Sequence, residues 1–361
     1  MNLETKTLKE GISSYPEDSV SNRKFGKKAV ILLSGGLDSL LSAKIMLNQG
    51  IELLGVKFTS PFCTCDQGGT CYAAINAKEL GIKLKIITKG EDYLDIIRKP
   101  TYGYGRGMNP CVDCRIYTLK KAKEIMHEFG ASFVVTGEVL GQRPMSQHMK
   151  ALKIIEHEAG LDGLVVRPLS AKYLPVTIPE AKGWINRENL PEIRGKSRKI
   201  QLKMAKEFGV EQFACAAGGC RLTNREFSRK LRDLFEHNEK LSWKDINLLR
   251  FGRHFRYEGV KFIVGRDESE NKFLESVVDV DHILMYEKNI PGPSVLIETV
   301  LDSISSKILD FAANLIRYYS RRGKEISNFI LHTGTDTLEK VLSPEKMNGE
   351  IIDGFNVGIV K

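Results

Sequence analysis

The chain has 361 residues, of which 42% are hydrophobic and 27% are charged, a composition typical of folded globular proteins and not of disordered ones. Its 54 lysines and arginines exceed its 45 acidic residues and give a formal net charge of +9, which favours a polyanionic partner. No apolar run approaches the roughly 20 residues needed to cross a bilayer, and residues 1–28 lack the apolar core of a signal peptide. We therefore expect a cytoplasmic protein with no membrane partner.

The first half of the chain alternates strands with amphipathic helices. Residues 1–27 show no period and are predicted to be a flexible extension. The apolar run Ala29–Leu33 predicts a strand that is buried on both faces, and a helix is expected over Ser39–Gln49. The later strands and helices are predicted over Leu53–Phe58, Tyr72–Leu80, Leu84–Thr88, Asp92–Arg98, Asp113–Phe129 and Ser132–Thr136. This alternation predicts an α/β fold with a doubly wound parallel sheet over residues 28–180, which would bind ligands at the carboxyl ends of its strands.

The second half of the chain changes character twice. Residues 181–240 are strongly charged and predict a helical extension, which carries Cys220. After residue 240, short strands are expected within residues 251–264 and 295–299, and an amphipathic helix over Ile304–Tyr319. We therefore expect a smaller α+β domain over residues 241–361.

The loop between the first predicted strand and the first predicted helix has the composition of a phosphate-binding loop. Its residues are Ser34, Gly35, Gly36, Leu37, Asp38 and Ser39. Backbone amides at the start of a helix attract anions, and two glycines allow a phosphate to approach the backbone closely. Asp38 would repel phosphate unless a cation lies between them, which indicates Mg²⁺. The alternative is a helix cap in which Asp38 and Ser39 bind free amides.

The motif Ser-Gly-Gly-Leu-Asp-Ser after a buried strand resembles the pyrophosphate loop of the ATP pyrophosphatase, or PP-loop, superfamily. The resemblance implies that ATP is cleaved between its α and β phosphates, that AMP is left on a substrate oxygen, and that Asp38 takes part in catalysis. We also assign Phe58, Gly137 and Gln142 to the nucleotide site. The sequence lacks Gly-x-x-x-x-Gly-Lys, which disfavours transfer of the γ-phosphoryl group.

Two cysteines lie at the start of a predicted helix, where thiols become more acidic. The spacing of Asn109, Pro110 and Cys114 resembles that of the 2-thiouridine synthases of tRNA, and the segment from Gly137 to Gln147 resembles one in 4-thiouridine synthases. These resemblances cover about residues 28–235. They imply that Cys114 holds the position of an essential cysteine.

The resemblance supplies Cys220 as the distant partner of Cys114, and two mechanisms follow. In one, Cys111, Cys114 and Cys220 hold a [4Fe-4S] cluster with one iron open to sulfide. In the other, Cys114 carries a persulfide, and Cys220 resolves it as a disulfide. The additional thiol of Cys111 favours the cluster. A structural zinc ion is a third alternative.

The remaining cysteines are less specific. Because seven cysteines cannot all pair and no export signal is evident, metal or redox chemistry is favoured over structural disulfides. Cys63, Cys65 and Cys71 could form a second metal site, a sulfur relay, or a crowded loop that needs small residues. Cys215 lies in a small-residue stretch that predicts close packing.

The carboxyl-terminal part carries a basic and aromatic pattern. Residues 252–256 interleave arginines with aromatic residues, which is typical of RNA-binding surfaces and also of a basic strand facing solvent. Three segments resemble the NFACT-type RNA-binding domain across much of residues 250–325, namely Ile263–Asp267 with Glu270 and Asn271, Ile290–Ser294 and Tyr318–Arg321. The resemblance implies a module that holds RNA, with Arg253, Arg256 and Arg266 contacting phosphates.

These features predict an ATP-dependent tRNA sulfurtransferase. A uracil carbonyl oxygen would be adenylated and then replaced by sulfur, which comes from sulfide or from a persulfide-carrying protein. One rival is a PP-loop ligase that acts on a small molecule and needs neither paired cysteines nor a basic terminal domain. Another rival is a metal-stabilised RNA-binding protein whose nucleotide site is vestigial.

Overall fold

The computed structural model describes residues 26–64, 70–210, 212–213, 219–322, 327–343 and 345–359. Cys65, Cys215 and nearly all of the expected flexible extension lie outside these residues. The chain divides into two compact units, Met1–Thr223 and Asn224–Lys361. Within the described residues, no helix is long and apolar enough to cross a membrane.

The first unit contains a parallel sheet with strand order β3-β2-β1-β4-β5. The strands are β1 (Lys27–Leu32), β2 (Ile51–Thr59), β3 (Lys83–Thr88), β4 (Phe133–Val135) and β5 (Val165–Val166). The helices are α1 (Leu37–Asn48), α2 (Tyr72–Leu80), α3 (Asp92–Arg98), α4 (Cys111–Glu128), α5 (Met149–Ala159), α6 (Ile178–Ala181) and α7 (Lys199–Glu207). The predicted parallel α/β fold is confirmed, and every strand and helix expected before residue 137 is present with small shifts at its ends.

The central strand β1 is buried on both faces, as its uninterrupted apolar run predicts. Ala29 and Ile31 pack into one hydrophobic core with α1 and α2. Val30 and Leu32 pack into a second core with α4 and α5. Because successive side chains of a strand point to opposite faces, the sheet lies between two helical layers and is doubly wound.

The strand order reverses beside β1. The chain passes from β1 outward to β2 and β3, and then crosses back to place β4 on the other side of β1. Loops that leave β1 and β4 therefore diverge to opposite faces, and a crevice forms at the carboxyl ends of these strands. The loop of residues 34–39 follows β1, and Gly137 follows β4.

Two glycines, Gly35 and Gly137, allow the loop of residues 34–39 to pack closely against its neighbours. Gly35 has a φ of +82°, and a Cβ there would lie 2.8 Å from the backbone nitrogen of Ala73. A Cβ on Gly137 would lie 2.5 Å from the backbone nitrogen of Ser39 and 2.6 Å from the carbonyl carbon of Asp38. These neighbours are backbone atoms, so any side chain would displace the loop itself.

The second unit contains a six-stranded antiparallel sheet with order β11-β10-β8-β9-β7-β6. The strands are β6 (Arg253–Tyr257), β7 (Val260–Val264), β8 (Ile283–Glu287), β9 (Val295–Ile297), β10 (Asn328–His332) and β11 (Thr337–Val341). The helices are α8 (Arg225–His237), α9 (Trp243–Leu248), α10 (Glu268–Ser276), α11 (Ser306–Tyr319) and α12 (Gly349–Gly354). The predicted α+β character is confirmed.

The division between the units falls earlier than the boundary expected near residue 240. Helix α8 was assigned to the helical extension, but it is held by the second unit. Asp233 on α8 accepts two hydrogen bonds from Arg256, and Lys230 donates to the carbonyl of Gly252 at 3.1 Å. The Arg229 side chain also donates to the carbonyl of Gly358 at 2.9 Å.

The close approach at Gly137 gives a first prediction. We expect Gly137→Ala to lower the free energy of unfolding by about 1–3 kcal/mol, because the added methyl group overpacks the loop backbone. Denaturant unfolding would measure the change. Gly26→Ala is the control, because a Cβ on Gly26 meets nothing within 4 Å and should alter stability by less than about 0.5 kcal/mol. Equal stabilities of the two variants would contradict the prediction.

Candidate active site

A cavity of about 280 Å³ lies at the crevice beside β1 and β4. Its walls come from the loop after β1, the start of α4, the segment after β4, and residues 219–220. The residues predicted for catalysis or cofactor binding that line it are Ser34, Gly36, Leu37, Asp38, Ser39, Phe58, Cys111, Cys114, Gly137, Gln142 and Cys220. Gly35 is the one predicted residue that does not line the cavity, because it packs against Tyr72 and Ala73.

The phosphate loop leaves the first amides of α1 without a side-chain cap. Gly36 is the N-cap and makes no side-chain bond to the helix. The Ser39 hydroxyl donates to the Gly36 carbonyl at 2.8 Å, while Asp38 Oδ2 accepts from Gln142 Nε2 at 2.9 Å. Asp38 and Ser39 therefore do not act as a helix cap, which disfavours that alternative and leaves the amides available to an anion.

Unpartnered oxygens in the cavity fit a hard cation. Asp38 Oδ1 and Gln142 Oε1 are buried and accept no hydrogen bond. Because Gln142 donates its amide to Asp38, both free oxygens belong to one bonded pair of side chains. Carboxylate and amide oxygens are suitable ligands for Mg²⁺. Gln147, which is 4% exposed, adds a third unpartnered acceptor, Oε1, to the cavity wall.

The thiols in the cavity differ in acidity. Burial would raise the pKa of Cys114, but the Lys89 ammonium, which donates to Cys114 Sγ at 2.9 Å, brings that pKa below its ordinary value. Burial raises the pKa of Cys111, and it raises the pKa of Cys220 to about 12. Cys114 is therefore the thiol most readily present as a thiolate.

Three of the cysteines that line the cavity are candidate ligands of a cofactor. Cys111 and Cys114 are three residues apart on α4 and share one face of its first turn, and Cys220 approaches from a separate segment. Across the described ranges, no three histidine, cysteine or acidic residues are arranged to hold a single metal ion. Cysteines that ligate a [4Fe-4S] cluster bind different irons and need not converge on one point. The three thiols line one cavity, and thiolates are the usual ligands of iron–sulfur clusters.

Positive charge surrounds the cavity. Lys89, Arg115, Arg143 and Arg198 line it beside the acidic residues Asp38 and Glu138. Glu138 is 3% exposed and is bonded from behind by Arg167 Nε at 3.0 Å. Burial would raise the pKa of Glu138, but Arg167 and Arg115 hold it below its ordinary value, so this side chain stays ionised. Arg198 pairs with Asp38 at 3.4 Å and Arg115 with Glu138 at 3.4 Å, and the described lining still has two more cations than carboxylates, which favours anions.

Several of these residues were not found by sequence reasoning. Lys89 directly follows a predicted strand, and its place at the carboxyl end of that strand was a usable signal. Arg143 and Arg198 are isolated arginines with no such signal. Cys220 lines the cavity together with Cys111 and Cys114, as the sequence predicts. The sequence does not decide among three roles for Cys63, and the structure places Cys63 in the same cavity beside Cys220.

The three arginines predicted to contact RNA have different surroundings in the second unit. Arg256 donates to Asp233 at 2.8 and 2.6 Å. Arg266 forms hydrogen-bonded ion pairs with Glu270. Arg253 lies over the Tyr319 ring at 4.5 Å, and it has no carboxylate partner among the described residues. Arg253 is thus the cation of the three that is most available to a phosphate.

Two family models match the chain. Residues 25–173 match "Thiamine biosynthesis protein (ThiI)", and residues 252–355 match "NFACT protein RNA binding domain". The chain is 29% identical over 167 residues to the "Probable tRNA sulfurtransferase" of Thermococcus kodakarensis, a match that covers 46% of this chain and 43% of that protein. The chain thus spans less than half the length of that relative.

Two further similarities are informative. The chain is 23% identical over 303 residues to the "tRNA-specific 2-thiouridylase MnmA" of Petrotoga mobilis, which covers 78% of each. The solved "U34-tRNA thiolase NcsA from Methanococcus maripaludis with its [4Fe-4S] cluster" is 21% identical, covers 63% of this chain and 74% of that one, and has a TM-score of 0.33. That score is too low to carry the cluster over to this chain. The matches confirm the two resemblances that the motifs indicated: the chain joins a part similar to ThiI, which contains the PP-loop, to a part similar to the NFACT RNA-binding domain.

Proposed function

We propose that this protein is an ATP-dependent tRNA sulfurtransferase that replaces a uracil carbonyl oxygen with sulfur. The observation that carries the proposal is the meeting of the phosphate loop, residues 34–39, with Cys111, Cys114 and Cys220 on one cavity. A ligase that acts on a small molecule would need no thiols beside its phosphates. The similarity to a tRNA sulfurtransferase and a tRNA thiouridylase supports tRNA as the substrate.

The first step activates the uracil oxygen. The free amides at the start of α1 would hold the phosphates of ATP, and the Asp38–Gln142 pair would hold Mg²⁺ through its unpartnered oxygens. When bound there, Mg²⁺ would offset the negative charge of the phosphates. The carbonyl oxygen attacks the α-phosphorus, an O–P bond forms, and pyrophosphate leaves. AMP on the oxygen then makes it a good leaving group.

The second step brings in sulfur. A sulfur nucleophile attacks the carbon that bears the AMP group, the C–O bond breaks, AMP departs, and a thiocarbonyl remains. Cys111, Cys114 and Cys220 would hold a [4Fe-4S] cluster, which when bound would supply an iron open to sulfide. Lys89 and Arg115 place positive charge beside Cys114, where an anionic sulfur would enter.

The persulfide mechanism remains the alternative, and the acidity of Cys114 supports it. The Lys89 ammonium favours the thiolate of Cys114, the form that would accept a sulfur atom from a persulfide. The terminal sulfur of the Cys114 persulfide would attack the carbon that bears the AMP group, and AMP would leave. Cys220 would then attack Cys114 Sγ, breaking the S–S bond, releasing the thiocarbonyl and leaving a disulfide between Cys114 and Cys220. The sulfur donor distinguishes the mechanisms, because sulfide needs no disulfide to be formed.

We also propose that the second unit binds the tRNA, through Arg253 among other groups. This proposal rests on the similarity of residues 252–355 to an RNA-binding domain and on the lack of a carboxylate partner for Arg253 among the residues described. Arg256 and Arg266 would contribute less to the affinity for tRNA, because a phosphate would have to displace Asp233 from Arg256 or Glu270 from Arg266.

Asp38→Asn tests the ATP site. The amide keeps the size of the side chain but lacks the charge needed for Mg²⁺, so pyrophosphate release and thionucleoside formation should both fall by roughly 100-fold. Mass spectrometry of nucleosides from treated tRNA would measure the product. Asp162→Asn is the control, because Asp162 is 65% exposed and lies outside the cavity. Unchanged pyrophosphate release in Asp38→Asn would refute the assignment.

Iron content tests the cluster. Protein reconstituted without oxygen should bind about four irons per chain and accept sulfide as donor. Replacing Cys111, Cys114 or Cys220 with serine should remove both iron and thiolation. Cys71→Ser should keep both, because Cys71 packs against the first core and does not line the cavity. If Cys111→Ser and the iron-free enzyme still thiolate tRNA from a persulfide, the cluster mechanism is wrong and the persulfide mechanism is right.

Salt dependence tests the RNA contact. Arg253→Gln should weaken tRNA binding several-fold and reduce the slope of log affinity against log salt by about 1, because one fewer counterion is released. Arg253→Lys keeps the charge and should keep the slope. Filter binding at several salt concentrations would measure both. Equal affinity and slope for wild type and Arg253→Gln would show that Arg253 does not contact RNA phosphate.

A further inference from the structure

Cys63 and Cys220 face each other across a short antiparallel bridge. The Arg221 amide donates to the Phe62 carbonyl at 2.9 Å, and the Thr64 amide donates to the Gly219 carbonyl at 3.1 Å. These two bonds lie on either side of the cysteine pair, which is therefore the non-hydrogen-bonded kind of antiparallel pair. Side chains in such a pair lie on the same face, and their Cα atoms are about 4.5 Å apart.

This spacing suits a covalent bond between the two thiols. Disulfides form where the Cα atoms are about 4.4–6.8 Å apart and the Cβ atoms face each other, which a pair of this kind satisfies without movement of the backbone. The Thr64 hydroxyl also donates to the Gly219 carbonyl at 2.7 Å and strengthens the bridge. Both cysteines line the same cavity as Cys114, so small molecules that enter it can reach them.

We propose that Cys63 and Cys220 form a reversible disulfide that removes Cys220 from the chemistry of the site. The reaction needs a small-molecule disulfide, R–S–S–R, as oxidant. One cysteine thiolate attacks it, forming a mixed disulfide and releasing R–S⁻, which takes up a proton. The second thiolate then attacks the cysteine sulfur of the mixed disulfide, and the second R–S⁻ leaves. The two cysteines lose two electrons in total, and the oxidant is reduced to two thiols.

The disulfide would block both mechanisms of thiolation, an effect that rests on the proposed function. Cys220 bonded to Cys63 can neither ligate an iron nor resolve a persulfide on Cys114. The oxidised site would therefore be inactive, and reduction would restore it. The persulfide mechanism alone predicts a different bond, between Cys114 and Cys220, so the identity of the disulfide partner separates the two ideas.

Peptide mapping tests the pair directly. Iron-free full-length protein would be equilibrated in glutathione buffers from reducing to oxidising, its free thiols alkylated, and its peptides identified by mass spectrometry. We expect a linked Cys63–Cys220 peptide in the oxidising buffers, its loss with dithiothreitol, and its retention in Cys71→Ser. A predominant link between Cys220 and any other cysteine, or free Cys63 in the most oxidising buffer, would overturn the proposal.

Iron uptake gives a second measurement. Wild-type protein treated with oxidised glutathione should take up less than a tenth of the iron bound by untreated protein until it is reduced. Cys63→Ser treated in the same way should take up iron normally, because its Cys220 has no partner across the bridge. Full iron uptake by oxidised wild type would overturn the proposal that the disulfide removes Cys220 from the site. Peptide mapping uses neither tRNA, ATP nor iron, so its outcome stays interpretable if the proposed thiolation or the cluster fails, whereas the iron measurement applies only to protein that binds iron before oxidation.

Discussion

The site depends on the backbone contact between the loop after β1 and the segment after β4. At Gly137 these two segments of the backbone come so close that a Cβ on Gly137 would lie 2.5 Å from the Ser39 nitrogen. This contact, with that of Gly35 against Ala73, holds the loop from both sides and leaves its free helix amides facing the cavity. The strand order places this contact at the mouth of a crevice, because the connections diverge where the order reverses, beside β1. The fold itself therefore holds the loop in the conformation that the proposed phosphate binding requires.

Charge in the cavity is organised around that loop. Among the described residues, four cations and two carboxylates line the cavity. Asp38 pairs with Arg198 at 3.4 Å, and Glu138 pairs with buried Arg167, which does not line the cavity. Losing a partner from a buried ion pair costs about 3–5 kcal/mol, so Arg167 is best understood as the group that makes an ionised Glu138 tolerable at this depth. Arg115 lies on the opposite side of Glu138 at 3.4 Å, and it remains partly exposed toward the cavity. This surplus of positive charge would suit the anions of the proposed reaction, the phosphates of ATP and a reduced sulfur species.

The sequence predicted the parts of this protein that local patterns encode. The uninterrupted apolar run of β1 indicated burial on two faces, and the motif of residues 34–39 indicated phosphate binding. Pairings between residues far apart in the chain left no local pattern. Cys63 could not be matched to Cys220 because their bridge forms only when two distant segments meet, and Asp233 gave no sign that it would bind Arg256. Long-range bonds of this kind also hold α8 in the second unit, so the units divide before α8 and not near residue 240.

The four thiols of the cavity are not equivalent, and their differences suggest a division of roles. Lys89 favours the thiolate of Cys114, whereas burial keeps Cys220 protonated at neutral pH, with a pKa of about 12. A thiol with so high a pKa attacks slowly unless something removes its proton or replaces it with a metal. Both the proposed disulfide with Cys63 and the resolution of a persulfide on Cys114 therefore require that the Cys220 thiol lose its proton before it reacts. Cys63 lies directly across the bridge, so the Cys220 thiol need only lose its proton, with no movement of the backbone, for the proposed disulfide to form.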